Sequence, residues 1–311
     1  MNKIKSPSKR HHYLSQAYLG GFTDTGKKDG FLFALNLDTG KTFSPTPKNI
    51  AVETDFNRVD IEGMPTDALE SALAPFEERA VQGIRNTLAS GCFPSDEDYS
   101  FILNLLCLFA VRNPNLRENF NQAHEASINI LTNILVSDEK LYSQQVERAF
   151  KDGYIKITDV FYAEMKKFID NREYTLEFPT EGNTRMEFKA FDGLLKLLAA
   201  RTWSLLIVPE DCPELICSDH PVALTWKQHS SAPIGYGLPN TEVYFPLSPT
   251  ACLYGTYEGC LKPVISLTVA NVAKVNTDVA LNAKRQVYSR RDSFVMWHQG
   301  GINEVYCGLR D

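Results

Sequence analysis

The chain has 311 residues, 43% of them hydrophobic and 23% charged, with a formal net charge of -6. This balance is far from the low-hydrophobicity, high-charge signature of disorder, and the length suits one large domain or two closely packed halves. The acidic total argues against a surface that gathers nucleic acid by bulk electrostatics, and the longest apolar run, Phe101 to Val111 with Asn104 inside it, is too short to span a bilayer.

Met1 to Arg10 is polar and basic with no apolar stretch behind it, so no secretory signal is expected. Lys5 to Arg10 with its two following histidines and Lys284 to Arg291 are the short positive runs, and both read as solvated segments. The seven cysteines, Cys92, Cys107, Cys212, Cys217, Cys252, Cys260 and Cys307, are odd in number and scattered, and no Cys-x-x-Cys occurs. They suit a reducing cytoplasm better than a disulfide framework or a zinc ribbon.

In chain order, His11 to Leu19 and then Gly20-Gly21-Phe22 form an aromatic segment that calls for burial without declaring helix or strand. Phe31 to Asn36 alternates, and Asp38-Thr39-Gly40-Lys41 supplies turn chemistry before Thr42 and Phe43, which predicts a hairpin. From Asp67, apolar residues recur at helical spacing to Leu88, with Asp67 and Glu70 placed as a capping pair and Pro75 expected to kink or divide the helix. A second helix starts at Ser95-Asp96 and runs to Asn113, where Pro114 forces a break. Leu116 to Leu135, Glu139 to Phe150 and Asp159 to Asp170 predict three further helices.

Beyond Asn171 the pattern changes. Tyr174 to Phe178, Arg185 to Phe188, Trp203 to Val208, Glu214 to Cys217, Val222 to Trp226, Val243 to Phe245, Cys252 to Gly255 and Gln286 to Ser289 read as strands. Phe191 to Arg201 and Leu267 to Lys284 read as helices. The expected fold is α+β, a central helical bundle packed with an antiparallel or mixed sheet formed from the N-terminal hairpin and C-terminal strands. One unit over 1–311 is expected, helical over about 67–172 and β-rich over about 173–311 plus 11–60, since no linker or repeat interrupts it.

Several motifs are absent: there is no phosphate-binding Gly-x-x-x-x-Gly-Lys loop, no Gly-x-Gly-x-x-Gly turn, no His-Glu-x-x-His helix and no Gly-x-Ser-x-Gly elbow. Candidate groups remain. Ser218-Asp219-His220 spells a triad, but neighbours on an extended chain face opposite ways, so either a strand-end turn ties down the loop or Asp219 and His220 line a pocket. His11 and His12 could move a proton, bind a metal or grip a phosphate, or simply pack as buried aromatics. Glu70 and Glu77 share one helical face and could hold a divalent cation or divide acid and base roles, with salt bridges to Arg79, Arg85 or Arg112 as the structural reading. Arg112 emerges where an apolar helix ends and needs a carboxylate partner, Glu70 or Glu77, or an anionic substrate. Cys212, Cys217 and His220 match no familiar metal-ligand spacing. Glu187-Phe188-Lys189, with Asp170 upstream, has the order of the acidic and lysine groups of metal-dependent nucleases, which means nothing unless the fold unites them.

His11-His12-Tyr13-Leu14-Ser15-Gln16-Ala17-Tyr18-Leu19 with Phe22 resembles the opening of the bacterial family labelled domain of unknown function 4238, with Leu14-Ser15 where Val-Pro is usual. The likeness continues through Asn49 to Asn57, the helix with Glu70 and Glu77, Arg112 with Pro114, Ser218-Asp219-His220-Pro221, Phe245 to Pro249, and Asn276 to Tyr288. It implies one family unit over almost the whole chain and no particular activity.

Two functions are carried forward. In the first, a hydrolase-like enzyme acts on nucleic acid or another phosphate-bearing substrate, with His11, His12, Glu53, Arg112, Asp219 and His220 as catalytic candidates and Glu70 and Glu77 holding a divalent cation; these groups should then surround one cleft. In the second, a non-catalytic binding or regulatory module, for instance of a bacterial defence or stress system, presents an exposed apolar patch to a protein partner. Neither predicts a membrane segment or a dedicated DNA-binding surface.

Overall fold

The computed structural model describes residues 10–60, 62–156, 161–228, 230–259, 262–298 and 300–307. Lys5 to Lys9 of the basic run, Cys260, and Asp159 and Val160 of one expected helix lie outside the described residues. The chain divides into two units, Met1–Asn113 with Thr184–Asp311, and Pro114–Asn183. The fold is α+β. Among the described residues no helix is long and apolar enough to cross a membrane.

The first unit opens with strand β1 (Arg10–His12), the short helix α1 (Gln16–Gly20) and the predicted hairpin of β2 (Phe33–Asn36) and β3 (Thr42–Phe43). A 3-10 turn at Pro47–Asn49 leads to β4 (Val52–Thr54) and to helices α2 (Ala68–Ser90) and α3 (Asp96–Val111). Ser95 caps α3 by accepting the Asp98 N–H at 3.2 Å, and three acids in the first turn complement the helix dipole. Asp67 makes no such bond to α2, so the expected capping pair does not form and Glu70 turns toward His11 instead. Nor does Pro75 divide α2: it lies on the solvent side, where water can take up the carbonyl left without an N–H.

The second unit contains α4 (Pro114–Leu135), α5 (Glu139–Lys151) and α6 (Tyr162–Asp170), packed around Val136, Tyr142 and Ile169. Pro114 begins α4, a position whose N–H would have no helical partner in any case. The expected helical stretch over 67–172 is thus shared between the units. Helix α7 (Thr180–Ala199) corrects the strand expected at Arg185 to Phe188. Four alternating residues cannot distinguish a strand from one helical turn, and Glu187, Phe191, Leu194, Leu195 and Leu198 keep helical spacing into the first core. Tyr174 to Phe178 is irregular.

After α7 come β5 (Thr202–Ile207), β6 (Cys217–Ser218), β7 (Ala223–Trp226), β8 (Thr241–Ser248), β9 (Ala251–Thr256), β10 (Val264–Ser266), α8 (Val269–Asn282), β11 (Gln286–Ser289), β12 (Ser293–His298) and β13 (Gly301–Tyr306). One mixed sheet runs β10-β5-β9-β8-β7, with only β10 and β5 parallel. A second runs β3-β2-β11-β6, so the N-terminal hairpin does pair with strands from late in the chain. The β1–β4 and β12–β13 pairs form separate ribbons, making four sheets among the described residues where one was expected.

The five-stranded sheet separates two cores. Because side chains alternate along a strand, Trp203, Leu205, Val243, Phe245 and Leu253 enter one core with α1, α2 and α3, while Leu206, Tyr244 and Cys252 enter the other with Val272, Val275 and Val279 of α8. Strand β8 is buried at every position as a result. Its Pro246, which has no N–H for the ladder, sits beside a register shift, and its carbonyl accepts the Tyr18 hydroxyl at 2.7 Å. The Tyr18 ring stacks on Phe245 with centroids 5.5 Å apart and meets Phe109 edge-on at 5.2 Å. This anchor fixes α1 against sheet and helices, and with it the residues just before α1. Tyr18→Phe would keep the packing and orphan the Pro246 carbonyl, so we expect a loss of about 1–3 kcal/mol in urea unfolding at unchanged slope.

Candidate functional site

A cleft of about 220 Å³ lies where α1 approaches α2, lined by His12, Gln16, Lys28, Asn57, Glu70 and Glu77 among others. Its back wall is a polar cluster organised by Asn57, which is 2% exposed. The Asn57 N–H donates to His11 Nδ1 at 2.9 Å, its amide donates to the His12 carbonyl at 3.1 Å, and its Oδ1 accepts from Arg112 Nη2. Since Nδ1 of His11 accepts, the ring proton sits on Nε2, which faces Glu70 Oε2 at 3.8 Å.

Arg112 ends α3 and is 2% exposed. Besides Asn57, its Nε lies 3.7 Å from Glu187 Oε2, a carboxylate fully enclosed on α7, and its guanidinium lies 5.9 Å from the centre of the Phe56 ring. The expected ion pair with Glu70 or Glu77 is replaced by this one, although the Arg112 charge still acts on both glutamates. Neither Glu187 nor Asn57 was identifiable as Arg112's partner from the sequence. Glu187 had been read as a strand residue, and Asn57 only closed a family segment.

Burial pushes the Glu70 carboxyl up; His11 and Arg112 pull it down and Asp67 adds to the rise. Glu77 is also raised, first by burial and further by Glu70, with Arg112, the Ser15 hydroxyl and Lys28 acting the other way. Burial lowers His12, against the backbone carbonyls of Lys48 and Pro47, so its ring favours the neutral form. The cleft therefore brings together two carboxylates biased toward the acid form, a neutral imidazole, and the exposed Lys28.

The other candidates lie elsewhere. Glu53 and Asp219 line a second hollow of about 350 Å³ with Tyr13 and Arg285. Asp219 is 6% exposed, and its oxygens accept the backbone N–H groups of Lys284 and Arg285 at 2.8 Å and Gln286 at 3.1 Å. Burial pushes its carboxyl up while these donors oppose the rise. His220 Nδ1 is bonded to the Asn282 carbonyl at 3.1 Å, and burial lowers its ring. The expected single constellation thus separates into His11, His12, Glu70, Glu77 and Arg112 at one cleft, Glu53 and Asp219 at another hollow, and His220 tied to the end of α8. Residues close in sequence, such as Asp219 and His220, diverge because an extended chain sends them to different neighbours.

Of the nuclease-like order, Glu187 lies on α7 beside Arg112, while Asp170 closes α6 and pairs with Lys166. Among the described residues, no three His, Cys, Asp or Glu side chains lie together as a metal-binding group, and this holds for Cys212, Cys217 and His220. The second unit carries a different feature, an apolar groove of about 570 Å³ lined by Leu131, Ile134, Leu141 and Val146, with Leu131 65% exposed.

A family model described as "Protein of unknown function (DUF4238)" matches residues 10–293. No curated protein and no solved structure matches the chain.

Two measurements follow from the cluster. Arg112→Met would leave Glu187 buried without its cation and should lose about 3–5 kcal/mol, whereas Arg112→Met with Glu187→Leu should recover part of it in the same urea titration. Glu77 has its folded-state value raised above the ordinary 4.5, so stability present below the unfolded value is lost as pH rises through the folded one. Glu77→Gln should then match the native chain at about pH 4 and gain a growing Tm advantage toward about pH 8.

Proposed function

Because the chain belongs to the DUF4238 family, whose function is not established, we propose its function from its own geometry: the cleft between α1 and α2 is the acid–base site of a hydrolase-like enzyme acting on a phosphate-bearing substrate. The observation that carries this reading is the pair of glutamates on one helix, both pushed toward the acid form by burial, opening into the same cleft. Glu77, raised further by Glu70, is the acid. Glu70, partly solvated and close to His11, is the base.

Glu70 takes a proton from water as the water oxygen bonds to the electrophilic centre, and Glu77 gives its proton to the leaving oxygen as that bond breaks. His11, 3.8 Å from Glu70, favours its ionised form electrostatically. The charge of Arg112 behind the wall keeps Glu70 ionisable despite burial, and Lys28 at the mouth favours an anionic substrate. With Glu70 and Glu77 but no third ligand among the described residues, proton transfer accounts for the pair better than the divalent cation first considered. His12, kept neutral by burial, lines the cleft with its Nδ1 toward Gln16 and helps shape the wall.

A second reading, the partner-binding module, is favoured by one observation, the apolar groove of the second unit with Ile130, Leu131 and Ile134 more than half exposed.

The purified chain should hydrolyse at least one member of a panel of chromogenic phosphomonoesters, phosphodiesters and carboxylic esters. Its kcat/KM should rise with pH as Glu70 ionises and fall as Glu77 does, both limbs above the usual carboxylate range. Glu77→Gln should lower kcat by about 10²–10⁴ with little change in KM. Absence of turnover across the panel, or undiminished turnover in Glu77→Gln, would sink the reading and leave the binding module.

A further inference from the structure

The second hollow, between the β1–β4 ribbon and the start of β11, is a site of different character from the cleft: beside the carboxylates of Glu53 and Asp219 it gathers side-chain donors. Three donors line it. The Tyr13 hydroxyl makes no hydrogen bond among the described residues, although the Tyr13 ring packs against Phe56 at 5.8 Å and its backbone N–H is held by the Ala51 carbonyl at 3.0 Å. The Arg285 guanidinium makes no ion pair among them. Gln286 has its Oε1 engaged by the Tyr288 hydroxyl at 2.9 Å, which leaves its amide N–H₂ as the available end.

The acceptors nearby are already taken. Asp219 receives three backbone N–H groups from 284–286, and Glu53 on the opposite rim has an interaction of its own. The Asp219 bonds have a further effect: by pinning the backbone of Arg285 and Gln286, they fix where both side chains start, so a ligand need not order that turn. The aromatic rings of Tyr13 and Phe43 provide an apolar wall beside the donors.

We infer that this hollow binds a small organic phosphate, its phosphoryl oxygens taken by the Tyr13 hydroxyl, the Arg285 guanidinium and the Gln286 amide. A phosphate group offers oxygens in several directions, which suits one donor from the residue after β1 and two from the turn into β11, and a guanidinium suits its geometry. At about 350 Å³ the hollow is larger than a bare phosphate needs, and the aromatic wall gives the organic part a surface to lie on. The inference goes beyond the acid–base reading and does not depend on it, since it concerns binding at other residues.

The test is thermal stability and calorimetric titration of the full chain with inorganic phosphate, adenosine 5′-monophosphate and acetate, at ionic strength held constant with sodium chloride. Phosphate and the nucleotide should raise Tm and acetate should not. Tighter binding of the nucleotide than of inorganic phosphate identifies an organic phosphate as the occupant, and tighter binding of inorganic phosphate overturns that assignment. Arg285→Gln and Tyr13→Phe should each weaken binding roughly ten-fold or more. Both variants should fold, because Arg285 is exposed and Asp219 uses only its backbone, while Tyr13→Phe retains the ring. A shift equal to that of chloride alone, an equal response to acetate, or full affinity in both variants would overturn the inference.

Discussion

A guanidinium shut away from water must be surrounded by groups that accept its protons, and Arg112 imposes that condition on much of the first unit. It draws Glu187 from α7 and Asn57 from the loop after β4 to the end of α3. Asn57, so placed, fixes the tautomer of His11 and donates its amide to the carbonyl of the ribbon's other histidine, and His11 in turn faces Glu70. Five separate parts of the chain meet there. The field from the same cation limits how far burial can raise Glu70 and Glu77, so one residue both assembles the wall of the cleft and sets its acidity.

The β1–β4 ribbon gives this arrangement a second face. His11 pairs across it with Glu53, yet His12 reaches the cleft while Arg10, Tyr13 and Glu53 border the other hollow. Ala51 and Asp55 flank β4 with φ of 51° and 56°, a left-handed conformation unusual for side chains other than glycine and asparagine. The chain accepts that conformation at both ends of a three-residue strand. The strand pairs with β1 at all three of its residues, and the two sites share that ribbon as a wall.

Local order was the part legible in the sequence. The Ser95 cap, the hairpin around Asp38 to Lys41, and the periodicities of α3, α4, α5 and α8 each depend on neighbours a few residues away, and all were read correctly. Glu70, Glu77 and both histidines were legible as candidates because charge near an apolar stripe stands out. What stayed hidden depends on distant partners: β1, β4 and β10 are three residues long and exist only because of the strand beside them. The pairing of Arg112 with Glu187 requires knowing that α7 lies behind α3. The Asp-x-Pro segment shows the same limit from the other side, since its polar residues serve the backbone after α8 rather than a shared pocket.

The five-stranded sheet with a core on each face also fixes an order of events during synthesis. Its first cover, α1 to α3, is made early, but the strands come only after the second unit has been threaded through, and α8, which closes the far face, later still. The four-stranded sheet likewise waits for β11 to join a hairpin made near the beginning. Until then α3, with its run of leucines and Phe109, can pack on α2 but not on the sheet. The second unit, continuous in sequence and built around its own small core, can form during that interval, while the first unit must bridge nearly the length of the chain. Such distant pairing is slow and leaves apolar surface exposed in the meantime. For this fold, the hazard of aggregation therefore belongs mainly to the unfinished chain on the ribosome.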